Sequence, residues 1–280
     1  MWKIITFLTV TTSVLATKAS QESLISDTLQ LSRNDTYNPI WGGLAVNYPS
    51  SQETRFTSLL TSFIVPRVQP PKWSQPGQYH AGIWVGMDGC DGASSLLQAG
   101  VTAEVTILND GAWTTAYEAW FEWFPEVAHT IDPAEFPVSA GDEIEIGVSR
   151  VVTSGGTITI SNSRTKKVIT RYLDAPTGTE IVGTSVEFIV EAFIQNGEQV
   201  SMADFGSVDF EILDISTTAK NSKVVSLETL MAENAQVHTL YQPLSPFYDS
   251  HFRLLSETKV SKGGKKVQVS FDDKSWAIKS

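Results

Sequence analysis

Sulfur is nearly absent from the reactive side chains here: among 280 residues Cys90 is the one cysteine. A disulfide within the chain is therefore excluded. Stability has to come from a buried core, which a chain of this length can build. Cys90 follows Asp88-Gly89 with no histidine beside it, so it lacks the paired base that a thiolate nucleophile needs. Positive charge is also scarce. Lys and Arg number 20 against 31 Asp and Glu, giving a formal net charge of -11 and a pI near 4.8. That balance argues against nucleic acid and anionic membrane as partners. The four histidines, His80, His129, His238 and His251, are scattered and read as surface residues rather than ligands. There is no Asp-Thr-Gly or Asp-Ser-Gly, no Gly-x-Ser-x-Gly and no His-Glu-x-x-His. Neither a metal nor another cofactor is expected.

No apolar run is long enough to span a membrane as a helix. The nearest is Met1 to Ala16, with an early Lys3, an apolar middle and small residues near Ala16 or Ala19. That is the pattern of a secretory signal peptide over residues 1–19, and it predicts a secreted, extracellular protein. Residues 20–37 read as a short prosegment or N-terminal extension. They contain the sequon Asn34-Asp-Thr36, which makes Asn34 a glycosylation candidate. Residues 38–280 show no linker, repeat or low-complexity tract and read as a single domain.

From Trp41 onward the pattern is short strands and turns. Strands are predicted over 56–65, 101–108, 112–124, 143–152, 157–161, 168–173 and 208–213. Asn109-Asp-Gly111 has the composition of a hairpin turn. Ser154-Gly-Gly156 reads as a turn, and Lys262-Gly-Gly264 as the last hairpin, ending in 267–271. Proline-containing loops cover 66–77 and 174–183, and 226–236 reads as a short helix. Strands recurring about every ten residues, with few helix signals, imply an all-β fold: an antiparallel β-sandwich of two large sheets.

Four strands carry an unusual second face. Side chains alternate between the faces of a strand. In 184–194, Phe188, Val190, Ala192 and Ile194 share an apolar face, while Glu187, Ile189, Glu191 and Phe193 share the other. In 80–88, Ala81, Ile83, Val85 and Met87 oppose His80, Gly82, Trp84, Gly86 and Asp88. In 96–102, Leu97, Ala99 and Val101 oppose Leu96, Gln98 and Gly100. In 118–124, Ala119, Phe121 and Trp123 oppose Glu118, Trp120, Glu122 and Phe124. A face of indoles, amides and acids beside small residues points to a binding cleft rather than a solvated surface.

The pieces Trp41-Gly-Gly, Trp84-Val-Gly-Met-Asp-Gly89, Leu97-Gln-Ala-Gly100, Ala119-Trp-Phe-Glu-Trp-Phe-Pro-Glu126, Ala140-Gly-Asp142 and Val186-Glu-Phe-Ile-Val-Glu191 occur in this order. In that order and spacing, over residues 38 to 272, the chain resembles the glutamic peptidases of filamentous fungi, the eqolisins. The resemblance implies a lectin-like, concanavalin-type sandwich with a concave active-site face and polypeptide substrates; a monomer is the default expectation. It implies a catalytic dyad of Gln98 and Glu191, with Asp88, Glu118 and Glu122 hydrogen-bonding near it. It makes Trp41, Trp84, Trp120 and Phe124 the substrate wall. The chain departs from the family where Glu118 replaces the usual Asp, where Phe124 replaces a frequent Tyr, and in its short prosegment and lone cysteine.

The chemistry is coherent with that resemblance. Peptide hydrolysis needs an activated water, a stabilised oxyanion and a protonated leaving amine. One Glu can activate water and then protonate the amine, and an ordinary carboxylate base predicts an acid optimum. A Gln amide is a neutral donor with no charge to lose in acid. Glu187 shares the face of Glu191 and could equally be structural. An alternative remains a lectin-like sandwich that binds or hydrolyses polysaccharide, with Glu191 and Glu122 as its carboxylates.

Overall fold

The computed structural model describes residues 35–48, 53–90, 93–218, 227–243 and 251–277. The leader over 1–19, most of the extension and Asn34 lie outside the described residues. In chain order the strands are β1 (Asp35–Asn38), β2 (Trp41–Asn47), β3 (Phe56–Ile64), β4 (Gly77–Met87), β5 (Leu96–Ile107) and β6 (Trp113–Phe124). They continue with β7 (His129–Thr130), β8 (Glu143–Val152), β9 (Gly155–Asn162), β10 (Lys167–Asp174), β11 (Ser185–Glu191), β12 (Ile194–Gln195), β13 (Glu198–Gln199), β14 (Ser201–Met202) and β15 (Ser207–Thr217). Helix α1 (Leu227–Asn234) precedes β16 (Ala235–Pro243), β17 (His251–Val260) and β18 (Lys266–Ala277).

Two antiparallel layers pack face to face, as the strand pattern predicts. One runs β16-β2-β11-β4-β5-β6-β7 and the other β10-β9-β8-β3-β15-β18-β17. They are not separate sheets. β16 pairs with β2 through Ala235–His238 and with β17 through Tyr241–Pro243, so one strand passes from layer to layer. The small hairpin β12-β13 stands apart. β1 pairs in parallel with β16, so residues 35–37, assigned above to the extension, belong to the sheet.

The inward faces are those the alternation predicts. Phe188, Val190, Ile83, Val85, Met87, Leu97, Ala99, Val101 and Trp123 join one continuous core with Phe63, Ile146, Ile158, Phe210 and Val269 of the opposite layer. Each large side chain buried there contributes roughly 1.5–3 kcal/mol. A second apolar cluster, Trp84, Leu96, Trp120 and Ile189 with Trp41 against it, lies on the other face of the first layer.

Three local expectations are corrected. β11 stops at Glu191, so Ile194 leaves the core face and is 57% exposed. The β8–β9 turn is Thr153-Ser154, and Gly155 and Gly156 are strand residues. A Cβ at Gly155 would collide with the Tyr172 hydroxyl and one at Gly156 with Leu97, so these glycines permit close packing rather than a bend. His80 and His238 are buried, not surface residues, because each sits on a strand of the first layer. The Asn109-Asp-Gly111 hairpin is as expected, closed by Leu108 N–H to Ala112 O at 2.8 Å with Gly111 at φ 85°. In Ala140-Gly-Asp142 the aspartate is structural: it accepts from Asn162 Nδ2 at 2.7 Å and Arg164 Nη2 at 2.9 Å.

Candidate active site

The outer face of the first layer is a grid set by strand register. One row crosses Ala45, Glu187, Gly86, Gln98 and Glu122. The next crosses Gly43, Ile189, Trp84, Gly100 and Trp120. The third crosses Trp41, Glu191, Gly82, Thr102 and Glu118. Glycines in β4 and β5 make room for the large side chains between them. A Cβ at Gly100 would run into Ile83 O, Trp84 Cβ and the Trp120 ring, and one at Gly86 would meet Leu96 and Gln98. Over this grid lies a cleft of about 820 Å³ whose lining includes Trp41, Trp84, Gln98, Glu122 and Glu191.

Glu191 is held by indoles. Trp84 Nε1 donates to Glu191 Oε2 at 2.7 Å, and Trp41 also donates to this carboxyl. The two indoles meet edge to face at 5.2 Å. Burial pushes the Glu191 pKa up to about 7; the two indole hydrogen bonds oppose that rise, and the nearby Glu122 charge adds to it. Gln98 is held from the other side, its Nε2 donating to Glu122 Oε2 at 2.5 Å. Gln98 is nine-tenths buried and its Oε1 has no hydrogen-bond partner. Burial raises the Glu122 pKa too, against the lowering effect of the Gln98 contact.

The structure thus brings Gln98, Glu191 and Glu122 to one cleft, with Trp84 and Gly100 between the first two. It does not bring Asp88 to them. The Asp88 carboxylate accepts from the backbone N–H groups of Val182, Gly183 and Thr184 at 2.6–3.0 Å and from Thr184 Oγ1 at 2.8 Å. It anchors the turn before β11, and the carboxyl that feels its charge is Glu187. Glu118 lines the cleft in the third row and is exposed; its pKa is raised by burial and then by Glu104, its diagonal neighbour, rather than by Glu191 or Glu122. The expected wall also divides. Trp84 is fully buried and Trp120 nearly so, which makes them floor, while Phe124 is 48% exposed at the rim. Glu187 is fully enclosed beside Ser185, Cys90 and Asp88, and burial drives its pKa well above its ordinary value. His80 and Glu104 line the cleft as well. Sequence reasoning passed over them, although His80 shares the alternating face of Trp84, and Glu104 that of Gln98.

The model of the peptidase A4 family matches residues 39–249. Aspergillopepsin-2 of Aspergillus niger is 30% identical over 192 residues, which is 63% of this chain and 64% of that protein. Scytalidopepsin B of Scytalidium lignicola is 29% identical over 146 residues, 50% of this chain and 52% of that protein. The chain thus matches between half and two thirds of the length of these curated relatives. A crystal structure of scytalido-glutamic peptidase with a transition state analog inhibitor superposes with a TM-score of 0.62 at 25% identity, covering 85% of this chain and 100% of that chain.

Proposed function

The chain belongs to the peptidase A4 family, and from that premise we propose that it is a secreted, monomeric acid endopeptidase that hydrolyses polypeptides with Glu191 and Gln98. One observation carries this reading: a carboxyl fixed by indole N–H groups and an amide fixed by Glu122 share one face of an open cleft. A peptide crossing the Trp84–Gly100 row would have its scissile bond between them. The Gln98 N–H not taken by Glu122 serves the developing oxyanion. Secretion rests on the leader-like Met1–Ala16.

The raised pKa changes how Glu191 works. With a pKa of about 7 it keeps its proton throughout the acid range. As water attacks, one carboxyl oxygen takes a water proton while the proton of the other passes to the substrate. The new C–O bond forms, the C–N bond breaks, the amine leaves protonated and the carboxyl ends neutral, as it began. Glu191 still activates water and protonates the amine, but acid activity follows from its neutral form rather than from a low-pKa base. Glu122 is engaged with Gln98, so the Glu191–Glu122 pair is not free to act as the two carboxylates of glycoside hydrolysis.

The test is cleavage of unfolded casein from about pH 2 to pH 8, beside E191Q. Expected is activity across the acid range that falls as pH passes about 7, and none in the variant. Activity that instead climbs steadily towards pH 7 would restore an obligatory carboxylate base. No cleavage at any pH by folded wild-type protein would overturn the peptidase reading, and a polysaccharide screen would follow.

A further inference from the structure

Past the dyad, the cleft runs along β4, β5 and β6 to a second group of polar side chains. His80 pairs directly with Glu104, and Thr102 with Glu118, so Glu104 and Glu118 are diagonal neighbours on one face. Side chains of that length meet across such a diagonal. Glu104 is fixed in place: its Oε1 accepts from Thr106 Oγ1 at 2.6 Å and Gln78 Nε2 at 3.3 Å. Its Oε2 faces His80 Nδ1 at 3.9 Å, too far for a hydrogen bond. His80 is only 6% exposed, and that Nδ1 has no hydrogen-bond partner. The Phe193 ring stands edge-on to His80 at 5.5 Å and lines the same end. No Lys or Arg is present among the described residues that line the cleft. Two carboxyls therefore line the cleft with no cation to answer them, beside a buried His80 nitrogen that has no hydrogen-bond partner.

We propose that this end of the cleft is a subsite for a cationic side chain of the substrate, an Arg or Lys held between Glu104 and Glu118 with its methylenes against Phe193. Thr102 and Glu104 lie two and four residues along β5 from Gly100, about 7 and 13 Å at the rise of a strand. An extended substrate would reach them with a residue about two to four positions from the scissile bond. The titratable groups facing the subsite are His80 from β4, Glu104 from β5 and Glu118 from β6, with Glu122 and Glu191 further along the cleft. Burial lowers the His80 pKa, against the pull of Glu104, so the ring is less ready than an ordinary histidine to put its own charge in the subsite. Burial and Glu104 together hold the proton on Glu118 longer than usual. The charge preference is therefore weak in strong acid and grows as pH rises.

This subsite rests on the peptidase reading, and the experiment separates the two. Peptides identical but for Arg or its uncharged isostere citrulline, at positions two to four from the scissile bond on either side, are compared by kcat/KM at about pH 3.5 and pH 6. Expected is an Arg preference of about fivefold at pH 6 at one or more positions, the scale of a partly exposed ion pair, and a ratio near one at pH 3.5. E104Q and E118Q each lower the pH 6 ratio, whereas E143Q, on an exposed carboxyl of the other layer, leaves it in place. Equal rates for both peptides at pH 6, or a preference that survives E104Q and E118Q, overturn the subsite. Failure to cut either peptide at any pH overturns the peptidase reading, and the subsite with it.

Discussion

Trp84 supplies Glu191 with both its floor and a hydrogen bond, and the two can be separated. W84F keeps an aromatic ring in the buried site but removes the N–H that reaches Glu191 Oε2 at 2.7 Å. That hydrogen bond lowers the Glu191 pKa, so its loss raises it above about 7. The falling limb of the pH–rate profile then moves to higher pH, and a limb that stays in place would show that the indole N–H does not govern this carboxyl. E191Q is isosteric and can still accept from Trp84, so it folds while losing turnover; more than a tenth of wild-type activity would remove Glu191 from its role. Q98A removes a neutral donor and lowers kcat by roughly a hundredfold, the usual effect of losing one oxyanion contact. An unchanged kcat would leave Gln98 as a packed strand amide.

Strand register, more than residue choice, assembles the site, and Gly100 shows how little slack it has. A methyl there would collide with Ile83 O and Trp84 Cβ and press on the Trp120 ring. G100A should cost about 1–3 kcal/mol by overpacking. It should also cut activity more than a distant substitution of equal cost, because the displaced indole is the one that holds Glu191. Thermal midpoint and kcat measured together check this; full activity with lowered stability would uncouple the floor from the dyad. The faces of β4, β5, β6 and β11 were legible in the sequence because period-two alternation needs no partner strand. What alternation cannot supply is which residues sit side by side. Glu187 and Glu191 share a face and look equivalent, yet register sets one against Gly86 and Ala45 and the other against Gly82 and Trp41. Asp88 is expected near Gln98 and Glu191 on the family resemblance alone. Its partners lie more than ninety residues away, at Val182–Thr184, a contact no local pattern carries. The Gln98–Glu122 contact spans the Asn109-Asp-Gly111 hairpin, where a recognisable turn constrains the pairing, and that part of the constellation was within reach.

Across the whole molecule, several carboxyls are tuned in the same direction. Burial raises the pKa of Glu187 well above the ordinary 4.5, raises Glu191 to about 7, and raises Glu122 and Glu118. Each keeps its proton to higher pH in the folded state than in the unfolded one, so over that range the folded state binds more protons. Their stabilising effect is complete below about pH 4.5, the unfolded value, and is lost as pH rises through the folded values. Two groups work the other way. His80, its pKa lowered by burial, costs stability as pH falls below its ordinary 6.5. Asp142 is held low by Arg164, Asn162 and Ser139, which outweigh its burial, and its contribution is lost only as pH falls through the carboxylate range. Between about pH 4.5 and 6.5 one histidine opposes four glutamates, and a formal charge of -11 adds self-repulsion towards neutrality. The thermal midpoint should therefore peak in mild acid and decline towards pH 8. E187Q isolates one such group: Glu187 is enclosed beside Asp88 and lies outside the proposed chemistry, so removing its ionisation should flatten the neutral side of the curve while leaving the acid side nearly unchanged. A midpoint that holds steady or climbs from pH 5 to pH 8 would mean that these buried carboxyls are accommodated as anions. An E187Q curve parallel to wild type would place the loss elsewhere, with Glu191 and Glu122 next in line.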